Sequence, residues 1–96
     1  MSRIILQLPA EHPSVAGHFP GNPIVPGAVL LDEVLAAIER ARGQPATAWA
    51  VKWVKFLRPV RPGDELALEI TATPDGDTRF RCWIGALEAI TGLVRA

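Results

Sequence analysis

The stretch GHFPGNPIVPGAVLLD, at residues 17–32, decides the fold of this chain and carries its candidate chemistry. It begins inside a segment, residues 9–27, with five prolines and three glycines among nineteen positions. Because proline fixes φ and removes a backbone donor, this composition predicts a stiff, irregular loop that turns at defined positions. A long ordered loop in so small a domain is more often functional than not.

The end of the stretch predicts a helix at about residues 27–42. Pro26 suits a first helical turn, where a missing N–H costs nothing, and Gly43 is typical of the residue that follows a helix. An apolar face recurs at helical spacing in Leu31, Val34, Leu35 and Ile38. Successive residues turn by about 100°, which places Asp32 at the flank of this face.

The remaining segments predict β-strands. Residues 4–8 (IILQL) are β-branched and apolar, and a period of two follows Pro45 in residues 47–57, 65–72, 78–84 and 87–95. Turn chemistry separates these four segments, so we expect them in hairpin succession. One helix against a mostly antiparallel sheet is an α+β architecture, and residues 1–96, without a repeat or linker, predict a single domain.

Composition and charge exclude several classes of protein. The chain is 49% hydrophobic and carries ten basic and ten acidic side chains, so it is globular and lacks the charge of a nucleic-acid binder. A local basic patch or, alternatively, a solvated strand edge is predicted for Lys52, Lys55, Arg58 and Arg61. The apolar surplus in so small a domain suggests burial against a partner subunit.

Neither targeting nor thiol chemistry is indicated. The N-terminus has no signal peptide and no membrane span, so the cytoplasm is the default location and no membrane partner is expected. Cys82 is the one cysteine and has a phenylalanine and a tryptophan as near neighbours, which predicts a core thiol rather than a nucleophile.

His18 and Asp32 together indicate acid–base chemistry. Alone, the histidine is more often a turn hydrogen-bonder, and the aspartate a helix-surface acid that the dipole favours. The prolines, however, hold His18 in a defined position relative to the helix, and Pro26-Gly27 opens the helix where free N–H groups collect. A base, a carboxyl group and an oxyanion donor at Gly27 are the parts for proton abstraction next to a carbonyl.

GHFPGNPIVPG, followed by an acid on the helix, resembles the signature of the β-hydroxyacyl-acyl carrier protein dehydratases, the FabA/FabZ group. VKFLRPVRPGDEL, at residues 54–66, is similar to a strand-turn-strand of the same family. The resemblance covers about half of the chain. It implies a hotdog fold, in which an antiparallel sheet wraps around a central helix.

The resemblance also implies the role of each site residue. His18 corresponds to the catalytic histidine, Asp32 to the catalytic acid, and Gly27 to the residue whose N–H binds the thioester carbonyl. Phe19 and Pro26, beside them, are taken as substrate-binding residues. The family usually has a glutamine one turn after the acid; Ala36 stands there, so a water would have to orient Asp32.

The implied reaction is elimination of water from a 3-hydroxyacyl thioester of acyl carrier protein or coenzyme A, in fatty-acid or related polyene or polyketide biosynthesis. It uses no metal and no organic cofactor. In this family the histidine and the acid come from opposite subunits of a homodimer, so a homodimer or higher homo-oligomer is expected. Two alternatives stay open: a hotdog thioesterase, and a non-catalytic hotdog subunit that pairs with an active partner.

Overall fold

The structure, a computed structural model, describes residues 3–7, 24–43 and 48–96. The elements follow in the order β1 (Ile4–Gln7), α1 (Gly27–Arg42), β2 (Ala50–Phe56), β3 (Glu65–Ala72), β4 (Thr78–Ile84) and β5 (Leu87–Arg95). One helix and five strands confirm the α+β prediction, and the helix has the bounds predicted for it. In these ranges no helix has the length and apolar character needed to cross a membrane.

The five strands form one antiparallel sheet in the order β1-β3-β4-β5-β2. The prediction of four strands in hairpin succession is wrong at one point, because β2 pairs with β5 and not with β3. The connection after β2 is hydrogen-bonded to β5 and to the residues before α1. Leu57 N donates to Ala89 O, and Val25 N donates to Val60 O, both at 2.8 Å. It therefore crosses from the β2 edge of the sheet to β3 instead of folding back as a hairpin.

The helix α1 begins after Pro26 and ends at Gly43, as the local signals predict. Gly43 has φ 74°, a left-handed conformation that glycine adopts without a Cβ penalty, and its N–H donates to Glu39 O at 3.0 Å. The buried side chains of the helix are Leu30, Val34, Ala37 and Ile38.

The core lies between α1 and one face of the sheet. Alternation along β3 and β4 turns Leu66, Leu68, Phe80 and Cys82 toward it, all at most 2% exposed. Gly92 of β5 makes room for this packing, because a Cβ there would lie 2.5 Å from Cε2 of Phe80.

The buried carboxylate of Asp77 connects the β3–β4 turn to the edge strand β2 and to its neighbour β5. Asp77 is 4% exposed, and it accepts from Lys52 Nζ at 2.7 Å and from Arg95 Nε at 2.6 Å. The turn is closed by Thr73 N, which donates to Asp77 O at 2.9 Å. The hydrogen bond from Lys52 and the contacts with Arg95 hold the pKa of Asp77 below its ordinary value, although burial opposes this.

Candidate active site

The first turn of α1 presents backbone donors that no described residue uses. Pro26 precedes the helix with φ −57° and ψ 143°, and no side chain caps it. Val29 N and Leu30 N both donate to Pro26 O, at 3.0 and 3.1 Å. Among the described residues, no acceptor binds the N–H of Gly27 or Ala28. Such an end attracts anions and developing negative charge.

A pocket of about 410 Å³ opens beside Gly27. Its lining is Ile24, Val25, Gly27, Leu30, Phe56, Leu57, Arg58, Pro59 and Val60. Eight of these nine residues are apolar, which suits an acyl chain or the apolar part of a thioester. The backbone donor at Gly27 is thus placed at the wall of an apolar pocket.

Phe56 is a pocket residue that was not singled out from the sequence. A Cβ built on Gly27 would come within 3.0 Å of Cζ of Phe56 and 3.2 Å of Cε1, so the ring lies against the glycine. Phe56 pairs in register with the buried Ile90, which puts its side chain on the helix side of the sheet. Only the motif at residues 54–66 could have indicated it, since that motif includes this phenylalanine.

Arg58 is the charged residue of the pocket lining. Its Nε donates to Glu88 O at 3.0 Å, and the side chain is exposed. The basic patch predicted at residues 52–61 is not formed: Lys52 is paired with Asp77, and Lys55 lies over the Trp53 ring. All four basic residues of that segment are exposed, as the alternative of a solvated strand edge expects.

Asp32 does not face the pocket of its own chain. The buried stripe of α1 runs through Leu30, Val34 and Ile38, and Asp32 lies outside it and is exposed in the single chain. From Gly27 to Asp32 the helix turns by about 140° and rises by about 7.5 Å. Gly27 and Asp32 are therefore presented on different sides of α1.

The structure describes some of the remaining predicted residues and not others. His18 and Phe19 lie outside the described residues, so their positions stay predictions. Pro26 supplies the carbonyl that starts the helix but does not line the pocket. Cys82 is buried, and burial raises the pKa of its thiol to about 12, which confirms a core thiol rather than a nucleophile.

The β2 edge leaves apolar surface uncovered on the helix side of the sheet. Val51 pairs in register with the buried Val94, so it points to the same side as Phe56. Val51, Phe56 and Leu57 are 42%, 48% and 48% exposed. Exposed apolar side chains along an edge strand are typical of a protein–protein contact.

Comparison with known proteins agrees with this architecture and these motifs. The profile of the ApeI-like family, described as ApeI dehydratase, matches residues 2–91. A 3-hydroxyacyl-[acyl-carrier-protein] dehydratase FabZ of Alkaliphilus metalliredigens is 42% identical over 77 residues, 72% of this chain and 52% of that protein. The FabZ of Thermomicrobium roseum is 40% identical over 74 residues, 69% of this chain and 49% of that protein. This chain spans about half the length of the curated relatives it matches.

A solved structure shows the fold over nearly the whole chain. The dehydratase heterocomplex ApeI:P from Xenorhabdus doucetiae matches with a TM-score of 0.75 and 29% identity, covering 97% of this chain and 83% of that one. The hotdog fold that the resemblance implies is thereby confirmed.

Proposed function

This chain belongs to the ApeI-like dehydratase family, and on that premise we propose that it removes water from a 3-hydroxyacyl thioester to give a trans-2-enoyl thioester. One observation carries the proposal: the uncapped start of α1, with the N–H of Gly27 unused by any described residue, lies at the wall of an apolar pocket. A thioester carbonyl at that point would meet a donor and a positive helix end.

Three groups divide the elimination in this proposal. His18 removes a proton from C2 of the substrate, while the N–H of Gly27 stabilises the negative charge that develops on the carbonyl oxygen. The C2 electron pair then forms the C2–C3 double bond as the bond from C3 to oxygen breaks. Asp32 donates a proton to the departing hydroxyl group, which leaves as water. Proton transfers complete the reaction, so we propose that it needs neither a metal nor an organic cofactor.

We propose that the site is completed across a homodimer. Asp32 is exposed and faces away from the pocket beside Gly27 of its own chain, so a second chain has to bring the acid to the base. Ala28 and Ala36 lie one turn to either side of Asp32, and their small side chains permit close approach of a partner. The uncovered apolar patch at Val51, Phe56 and Leu57 supplies surface for the contact.

The substrate carrier and the setting belong to the same proposal. We propose that an acyl carrier protein or coenzyme A holds the acyl group, in cytoplasmic fatty-acid biosynthesis or a related polyene or polyketide pathway. We also propose that residues 1–96 act as a single domain. Because a relative was solved as a heterocomplex, a different hotdog chain is the alternative to a second copy.

The experiment that tests the function uses the purified protein with 3-hydroxyacyl and trans-2-enoyl thioesters. We expect the wild type to interconvert them, and His18→Ala and Asp32→Asn each to lower kcat by about 10²- to 10⁴-fold. Glu33→Gln is the matched control, since it removes the adjacent carboxylate and should leave kcat unchanged. Release of free thiol would show a thioesterase instead, and an inactive wild type would show a non-catalytic partner subunit.

A further inference from the structure

The sheet has a second face, which points away from α1 and the pocket. Phe80 and Cys82 of β4 are buried in the core, so alternation turns Arg79, Arg81 and Trp83 of the same strand to this outer face. Trp53 of β2 lies on the outer face as well. Trp53 and Trp83 each have two cations close to the ring.

The cations around Trp83 have partners within the chain. The Trp83 ring centroid is 4.9 Å from Cζ of Arg3 and 4.8 Å from Cζ of Arg81. Arg3 pairs with Glu69 at 2.8 Å, and Arg81 pairs with Glu88. These five side chains, the Trp83 cluster, combine cation–π contacts with a carboxylate for each cation.

The cations around Trp53 have no such partner. The Trp53 ring centroid is 5.0 Å from Cζ of Arg79 and 5.7 Å from Nζ of Lys55. The NH2 group of Arg79 donates to Thr91 Oγ1 at 3.0 Å. Within residues 3–7, 24–43 and 48–96, neither Arg79 nor Lys55 forms an ion pair with a carboxylate. We call Trp53, Lys55 and Arg79 the Trp53 cluster.

Asp77 is not available to neutralise the Trp53 cluster. Its carboxylate already accepts from Lys52 and Arg95, and its side chain is 5% exposed. Lys55, by contrast, is exposed and Trp53 is only partly buried. The cluster therefore presents two positive charges that no carboxylate of the described residues pairs with, beside a partly accessible aromatic ring.

We propose that the Trp53 cluster is a docking surface for an acidic segment of another protein. Carboxylates of that segment would pair with Lys55 and Arg79 as Glu69 and Glu88 pair within the Trp83 cluster, and the indole would supply apolar contact at the centre. A second copy fits this outer surface poorly, because a two-fold contact centred on the cluster would bring two identical positive clusters together; the homodimer proposed above uses the helix side of β2 instead. The surface lies on the opposite side of the sheet from Gly27, so it is separate from the proposed dehydratase site.

The test uses a fluorescein-labelled peptide of glutamate and leucine, a matched peptide with glutamine in place of glutamate, and fluorescence anisotropy with the whole protein. We expect saturable binding of the glutamate peptide alone, weakening as salt is added. Lys55→Gln with Arg79→Gln should raise Kd at least about tenfold. The matched control, Arg3→Gln with Arg81→Gln, removes the same charge from the Trp83 cluster and should change Kd less than about twofold.

The proposal would be overturned by no saturable binding, by equal effects of the two double variants, or by tighter binding of an oligodeoxythymidylate that competes with the peptide. Loss of self-association in the Lys55→Gln, Arg79→Gln variant would assign the surface to a second copy instead. Lys55→Gln alone changes an exposed side chain, so it gives a smaller rise in Kd even if the double variant folds poorly. Turnover of a small thioester should be unchanged in all variants, which separates this test from that of the dehydratase function.

Discussion

The ring of Phe56 lies against Gly27, so close that a Cβ atom on that glycine would be 3.0 Å from Cζ and 3.2 Å from Cε1 and Cε2, and the ring would have to move slightly to admit it. Phe56 comes from β2 and Gly27 from the start of α1, so this contact joins the edge strand to the helix terminus whose first N–H groups bind no described residue. The pocket between them is therefore shaped by one residue without a side chain and one with a large ring.

Replacing Gly27 by alanine tests whether its N–H contacts the substrate. The methyl group would occupy the space between the N–H and the pocket, so we expect kcat/KM to fall about tenfold or more, toward the 10²- to 10³-fold loss of an oxyanion donor. The free energy of unfolding should change by less than about 1 kcal/mol, because alanine favours the helix and Phe56, 48% exposed, can turn aside. Steady-state kinetics and denaturant unfolding measure the two quantities.

The control for this variant separates the methyl group from the displaced ring. Phe56→Leu, alone and combined with Gly27→Ala, removes the part of the ring that the new Cβ would meet. We expect the combined variant to stay as slow as Gly27→Ala. Recovery to the rate of Phe56→Leu would show instead that the ring position, and not access to the N–H, limits turnover.

A site shared between subunits predicts complementation between two inactive variants. When His18→Ala and Asp32→Asn chains are unfolded together and refolded, half of the dimers should be mixed, and each mixed dimer should carry one site with both native groups. We expect about a quarter of wild-type activity from an equal mixture. The measurement is the activity of the mixture against each variant refolded alone.

No recovery in a mixture that contains mixed dimers would contradict the shared site, since it would place His18 and Asp32 in the same subunit. Sedimentation or native mass spectrometry confirms that mixed dimers have formed. The dehydratase activity of the wild type would be unaffected by that outcome, so the two proposals fail separately.

Local signals explain what could be predicted from the sequence. Pro26 and Gly43 act on their own neighbourhoods, so the helix bounds follow from the residues themselves, and alternation places Leu66 and Leu68 in the core. The pairing of β2 with β5 could not be predicted in this way, because it joins segments that are far apart in the chain. A turn-rich connection at residues 57–64 is compatible with a hairpin as well as a crossover.

The position of Asp32 shows a second limit of sequence patterns. The helix has apolar residues on more than one side: Leu30 and Val34 are buried on the sheet, whereas Leu31 and Leu35 are partly buried. The helical periodicity of apolar residues identifies the faces of a helix that become buried, but it does not tell whether the same chain or a partner chain buries them. Asp32 itself is exposed in the single chain, although Leu31 and Leu35 near it are partly buried.

We predict that Arg58 makes the protein selective for thioesters that carry a phosphate. Arg58 is the charged residue of an otherwise apolar lining, and its hydrogen bond to Glu88 O uses Nε. We therefore expect its terminal nitrogens to bind a phosphate on the carrier arm. We expect Arg58→Gln to raise KM several-fold for coenzyme A thioesters and to leave KM unchanged for N-acetylcysteamine thioesters, which have no phosphate. An equal rise for both substrates would show that Arg58 acts on the pocket structure alone.

Asp77 predicts how the stability of the fold depends on pH. The pKa of Asp77 is lowered in the folded protein, chiefly by the hydrogen bond from Lys52. The ionised carboxylate therefore stabilises the fold above the unfolded pKa of about 3.9, and this stabilisation is lost as pH falls through the lower pKa of the folded state. We expect Asp77→Asn to be less stable than the wild type at pH 5–8 by a constant difference, and the difference to shrink below about pH 4. Urea unfolding at a series of pH values measures this difference.

The control is Asp75→Asn, in the same turn but with an exposed side chain. It should change the free energy of unfolding by no more than about 0.5 kcal/mol at any pH in the series. If Asp77→Asn matched Asp75→Asn across the range, the ion pairs with Lys52 and Arg95 would contribute nothing to stability. The β3–β4 turn would then depend on its backbone bond from Thr73 N to Asp77 O, which both variants retain.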